Sequence, residues 1–271
     1  MRVHLHNDTN AANFAALLLR IGDGQLPYMD EPHSIEIPED LGSTTTTTRQ
    51  LIDTVYLNLK DNFNNVSWLM ERAILAPHNE SVREINLALL EDIPGDERMY
   101  KSIDRAVDEN EEILYPAEFL NSLEISGLPS HELRLKIGVP LMIVRNLAPG
   151  IANGTRVILT KMMDKCLETT IATGPKRGEK FYLPMIPLSP SETGLPFQFR
   201  RRQFPVKHCL AMTTNKAQGQ TLKVTGLQLK EKCFTHGQFY VGCSRVSSNA
   251  NLHICSDDKT TKNVVYHEVL C

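Results

Sequence analysis

A chain of 271 residues that is 41% hydrophobic and 23% charged has the apolar material for one large domain with an insertion, or for two domains. No apolar run approaches the roughly 20 residues of a membrane helix, and the N-terminal MRVHLHNDTN has neither a signal peptide's apolar core nor a transit peptide's arginine-rich, acid-poor character. The net charge of −3 hides a segregation: residues 1–130 hold 9 Lys and Arg against 23 Asp and Glu, and residues 131–271 hold 20 against 9, so a basic second half can supply a phosphate-binding face.

In chain order, the polar stretch Asn7–Asn10 offers N-caps for a short helix over AANFAALLLRI, stopped by Gly22 and Gly24. The run Thr44–Thr48 has no apolar periodicity and reads as a surface loop, leading into a helix with Leu51, Ile52, Val55, Tyr56 and Leu59 on its apolar face. Ala73–Ala76 reads as a buried strand. Asn79 is a helix cap or a polar contact, and Val82, Ile85, Asn86 and Leu89 follow at helical spacing. This is one strand-to-helix unit of an α/β fold.

Acidic residues dominate from Glu91 to Glu112, an exposed connection around a short strand near Met99–Ile103. From Leu133 the pattern turns to short strands, LRLKIGVPLMIVRNL, RVILTKMM, CLETTIATG and EKFYLPMIPL, with GPKRGEK as a hairpin tip. Four or five such strands in succession suggest a small barrel, and SPSETGLP returns the chain to the α/β part. Six cysteines, at 166, 209, 233, 243, 255 and 271, contain no C-x-x-C pair; reduced thiols are expected, without a zinc site or disulfide framework.

The most informative stretch is AMTTNKAQGQT, Ala211–Thr221. A strand ending at Met212 would deliver Thr213, Thr214, Asn215 and Lys216 to one sheet edge, with Gln218 and Gly219 in the turn. Unpaired backbone amides beside an ammonium favour an anion. In HGQFYVGCSRV, His236–Val246, a single arginine, Arg245, adjoins an apolar segment; such a residue is usually salt-bridged or snorkelling. Arg200, Arg201 and Arg202 beside Phe204 are either a solvated face or a track for a phosphate backbone. Asn153, Gly154, Thr155 and Arg156 form a sharp turn with a structural role. The sequence contains no G-x-x-x-x-G-K-[ST] and no apolar strand ending in paired acids that would hold Mg²⁺.

These motifs, in order, resemble the petite integration frequency (Pif) family of ATP-dependent DNA helicases, especially the Helitron-type version. The resemblance extends through ILAPHNESVREIN from Ile74, EFLNSLEISGLPSHELRLKIGVPLMIVRNL from Glu118, GIANGTRVIL from Gly150, LPFQFRRRQFPV from Leu195 and NVVYHEV from Asn263. It implies an α/β fold: a RecA-like second motor domain over residues 1–135 and 196–271, interrupted at 136–195 by a small β-barrel. Met1 and Arg2 resemble the end of a further family motif, so the chain is expected to begin in mid-protein. Met185 stands where the family has an arginine.

By the same resemblance, Arg245 and Arg2 address the γ-phosphate of ATP as catalytic residues, and Gln218 and Gly219 face the nucleotide cleft. Thr213, Asn215, Lys216 and Asn79 contact single-stranded DNA, joined by Arg200, Arg201 and Arg202; no metal ligand is assigned. ATP and Mg²⁺ would be held mainly by a first RecA-like domain that this chain lacks, supplied by the same or another polypeptide. The chain alone is then expected to be inactive. The whole would move 5′ to 3′ on single-stranded DNA and unwind duplex in the nucleus or mitochondrion, with telomere maintenance, repair, recombination and transposition all open. The alternative is a non-enzymatic single-stranded DNA-binding relic of a mobile element.

Overall fold

The computed structural model describes residues 9–108, 114–190, 194–266 and 268. It contains two compact units, one of residues 1–89 with 210–271 and one of residues 90–209. Along the chain, the first unit opens with α1 (Thr9–Gly22), β1 (Ser34–Glu36), β2 (Ser43–Thr45), α2 (Thr48–Val55), α3 (Leu59–Asn62), α4 (Val66–Met70), β3 (Arg72–Ala76) and α5 (Asn79–Asp92). The apolar spacing predicted α1 well: Phe14, Leu17, Leu18 and Ile21 are buried on one face.

The threonine run is not the expected loop. Ser43–Thr45 forms an edge strand, because β-branched residues suit an extended backbone. Thr47 then caps α2: its side chain accepts from the Gln50 amide, and the Gln50 side chain accepts from the Thr47 amide at 3.2 Å.

The second unit carries β4 (Arg98–Lys101), β5 (Ile103–Ala106), α6 (Ala117–Ser122), β6 (Glu132–Leu135), β7 (Pro140–Ile143), β8 (Arg156–Met162), β9 (Cys166–Ile171), β10 (Lys180–Pro184), β11 (Ile186–Leu188), β12 (Phe199–Gln203) and β13 (Val206–His208). Its strands pair as a five-stranded sheet in the order β10-β9-β8-β7-β13, a three-stranded sheet β11-β12-β5 and a pair β4-β6. The pairing among the described residues is this set of open sheets. The units divide at 89/90 and 209/210, outside the 136 and 195 expected from sequence, because β4 pairs with β6 and β5 with β12. The predicted hairpin tip holds: across the turn between β9 and β10 the Gly178 amide donates to the Ile171 carbonyl at 2.8 Å and the Ile171 amide to the Glu179 carbonyl at 2.9 Å.

The chain returns to the first unit with β14 (Ala211–Thr213), β15 (Val224–Gln228), α7 (Gln238–Cys243), β16 (Leu252–Cys255) and β17 (Thr260–Lys262). The central sheet has the order β14-β3-β15-β16-β2, all parallel. Helices cover both faces, as parallel sheets require. A Cβ on Gly226 would lie 2.8 Å from Val55 of α2, so only glycine admits that helix. The next residue, Leu227, points to the opposite face and meets Gly242 of α7. In such open sheets ligands bind outside the carboxyl ends of the strands, where Asn79 follows β3 and Asn215 and Lys216 follow β14; Arg245 follows α7 and bonds Leu222 just before β15 begins.

Candidate nucleic-acid interface

The motif strand β14 is an edge strand, and two side chains fix it. Asn86, buried on α5, donates from Nδ2 to the Ala211 carbonyl at 2.8 Å and accepts the Ala211 amide on Oδ1 at 2.9 Å. It thus completes the bonding of a strand whose outer side has no neighbouring strand among the described residues. The Tyr56 hydroxyl donates to the Leu210 carbonyl at 2.6 Å. Sequence reading placed Asn86 on a helix but gave it no role; an amide among apolar positions of one helix face was the available signal.

Beyond Thr213 the chain makes a 3-10 turn, Thr214–Ala217. Thr214 is buried and donates to the Ala76 carbonyl at 3.3 Å, joining the turn to the end of β3. Ala217 is buried as well, while Asn215, Lys216, Gln218 and Gly219 are exposed and Thr213 is half-buried. The two buried residues anchor the turn, and the polar ones face solvent. Gly219 has φ +79°, a left-handed conformation that suits glycine, with no heavy atom within 4 Å of where a Cβ would be. Asn79 belongs to the same sheet edge, three residues past Ala76, the register partner of Thr213. It is the first residue of α5 rather than the cap before it, and it is exposed.

Arg245 binds this loop directly. Its Nη1 donates to the carbonyls of Ala217 at 3.1 Å and Gln220 at 3.0 Å. Its Nε donates to Val241 at 2.7 Å, and its Nη2 to the Ser244 hydroxyl at 2.7 Å. Four of the five guanidinium N–H groups are therefore used inside the unit. Its own carbonyl accepts from the Leu222 amide at 2.9 Å. Burial lowers the guanidinium pKa from its ordinary value, although the group stays charged. The arginine singled out by sequence and the loop singled out by sequence are one hydrogen-bonded assembly.

The three consecutive arginines of the second unit are not equivalent. Arg200 and Arg202 point to solvent from β12, with Arg105 opposite Arg200 across the pair with β5. Arg201 is fully buried and cannot touch DNA as expected. It donates from Nε and Nη2 to Asp104 at 3.0 and 2.7 Å, and from Nη1 to the Pro129 carbonyl at 2.9 Å. The reason is strand period: in a half-buried strand every second side chain points inward.

Asn153–Arg156 is a structural turn, as read: Gly154 has φ +91°, and the Ala152 amide bonds to the Thr155 hydroxyl. Cys209 and Cys233 are buried thiols, each pushed up to about 12 by loss of solvent, and the described cysteines are unpaired. Arg2 lies outside the described residues. No helix among the described residues is long and apolar enough to cross a membrane.

A family model described as the 2B domain of DNA helicase Pif1 matches residues 118–162. The chain is 26% identical over 198 residues to the ATP-dependent DNA helicase PIF1 of Rattus norvegicus, covering 69% of this chain and 28% of that protein. For the Homo sapiens protein of the same name the figures are 26% over 196 residues, 68% and 27%. It therefore spans little more than a quarter of the curated relatives' length. Its fold matches that of the Pif1 helicase from Candida albicans with a TM-score of 0.59 at 19% identity, covering 96% of this chain and 56% of the other. It likewise matches the Pif1 helicase from Bacteroides, in complex with ADP-AlF3 and ssDNA, with a TM-score of 0.57 at 20% identity over 96% and 52%. Resemblance by motif, by segment and by fold converges: this chain is similar to the Pif1 DNA helicases in sequence, and its α/β fold matches theirs.

Proposed function

We propose that this chain forms the second motor half of an ATP-dependent 5′ to 3′ DNA helicase, gripping single-stranded DNA through the loop that Arg245 holds. The observation that carries the reading is the guanidinium bound to the carbonyls of Ala217 and Gln220, on either side of Gln218 and Gly219 and next to Lys216. Thr213, Asn215, Lys216 and Asn79 present donors to a phosphodiester backbone, and Arg200 and Arg202 are exposed cations of the other unit that suit the same chemistry. Relatives whose printed descriptions name ssDNA and ADP-AlF3 support both ligands.

ATP, when bound, would supply a phosphate charge that an arginine fork recognises. The residues fit one side of such a ligand: Gln218 and Gly219 are exposed beside Arg245, with open space at Gly219. Arg245 spends four donors on its own unit and keeps one Nη2 N–H outside these bonds, so a fork grip on a phosphate through both Nη atoms means releasing Ala217 or Gln220. Each carbonyl so released and left buried costs about 1–3 kcal/mol, and the loop that bears Lys216 shifts to recover it. That exchange is a physical link between a nucleotide contact and a DNA contact. Among the described residues no three His, Cys, Asp or Glu side chains converge on a metal position. In this reading Mg²⁺ and most phosphate contacts belong to a first RecA-like domain, and the assembled motor works where DNA is kept, in the nucleus or the mitochondrion.

The DNA-gripping part is tested by fluorescence anisotropy with labelled oligothymidine across a salt series. Each neutralised phosphate adds about −0.7 to the slope of log K against log salt. Lys216→Glu is expected to lower affinity and flatten the slope, whereas Lys60→Glu, at an exposed position of α3, leaves both nearly unchanged. Salt-independent binding, or equal losses from the two substitutions, would refute the grip.

A further inference from the structure

Phe234 is 53% exposed, large and apolar, yet it does not stand alone. Its ring stacks on His78 with centroids 4.6 Å apart and planes 26° from parallel. One buried glutamine orders both partners. Gln238 accepts the Phe234 amide on Oε1 at 3.0 Å and donates from Nε2 to the Pro77 carbonyl at 3.4 Å, next to His78. The two rings thus come from different strand-end loops, after β15 and after β3, and are held by a common group. Two residues on, His236 stacks on Tyr266 at 5.6 Å and 12°, and Tyr266 is 49% exposed.

These rings share the carboxyl edge of the parallel sheet with the polar loop. His78 is two residues past Ala76, whose carbonyl accepts from Thr214, the neighbour of Asn215 and Lys216. An exposed ring stacked on a second ring, on the same sheet edge as an ammonium and an amide, matches what an unpaired nucleotide offers: a flat apolar base and a charged phosphate.

We propose that Phe234, backed by His78, is a stacking platform for one base of the bound single strand, with Lys216 and Asn215 taking its phosphates. This rests on the single-strand reading above and adds a base-dependent element to it. His78 orders the ring and is a positioning residue; Phe234 makes the contact. Because any base has a flat face, the platform selects unpaired nucleotides without selecting sequence.

The test compares the full chain's affinity for labelled oligothymidine with that for an abasic deoxyribose-phosphate strand of equal length at one salt concentration. The wild type is expected to prefer the base-bearing strand by about tenfold, in line with one stacked base. Phe234→Ala should abolish the preference while leaving abasic affinity within about twofold, and Phe234→Trp should restore it, with indole emission quenched by bases but not by the abasic strand. Truncation at an exposed ring spares the core, and a circular dichroism spectrum unchanged from wild type confirms this. An unchanged preference in Phe234→Ala, or equal losses on both strands, overturns the platform even if Lys216→Glu weakens binding to both strands and leaves the single-strand reading intact. Failure of the wild type to bind either strand removes the single-strand reading and the platform together.

Discussion

Arg200, Arg201 and Arg202 share one chemistry, and the two-residue period of β12 gives them two fates. Arg201 sits at zero exposure against Asp104, which also accepts from the Ser102 hydroxyl at 2.7 Å. Removing one member of a buried, hydrogen-bonded pair leaves the other charge uncompensated, at a cost of about 3–5 kcal/mol. Arg201→Met and Asp104→Leu should each lose that much in urea unfolding, and the double variant should recover most of it. Additive losses would show that the pair does not act as a unit.

His208 is the second residue with a definite signature. Its Nε2 donates to the Arg134 carbonyl at 2.8 Å, and burial pushes its pKa from 6.5 down to about 4. Below 6.5 the unfolded chain takes up a proton that the folded one refuses. Stability from this site is therefore complete above about pH 6.5, falls as the pH drops from there to about 4, and changes no further below that. Replacing His208 with glutamine, which keeps a donor, should flatten the unfolding midpoint across that window; an unchanged pH profile would assign the loss to other groups.

Among elements, β14 decides where the loop sits, and its position depends on a helix far away in sequence. Asn86→Ala would leave the Ala211 amide and carbonyl without their partner, a loss of about 2 kcal/mol given the usual cost of buried unpaired groups. The corresponding observation is faster hydrogen exchange at Ala211, with Ile254 of β16, three strands away in the same sheet, unaffected. Equal acceleration at both would mean global rather than edge loosening.

What was legible in sequence at this scale was local. Helical spacing gave α1 and α5, an apolar run gave β3, and glycines gave the turn between β9 and β10. The threonine run misled because its partner, β16, lies some 210 residues away and supplies the pairing that makes it a strand. The stacking of Phe234 on His78 was illegible for the same reason, since no local pattern brings residues 78 and 234 together.

At the scale of the molecule, the charge asymmetry read along the chain is redistributed by folding. The acid-rich segment after residue 89 joins the basic strands in one unit, and the first 89 residues join the last 62 in the other. Sequence halves were therefore the wrong division, whereas the motif pair Ala211–Thr221 and His236–Val246 survived as a single site because both ends lie in one unit. The central claim is that Arg245 joins a nucleotide contact to a DNA-gripping loop. Its most direct test is DNA-stimulated ATP turnover by a protein in which this chain follows a first RecA-like motor domain, measured beside oligothymidine binding. The account predicts that Arg245→Ala lowers stimulated turnover by at least about 10³-fold, the scale of an arginine finger, even at oligothymidine concentrations that saturate binding. Turnover undiminished by Arg245→Ala would contradict it.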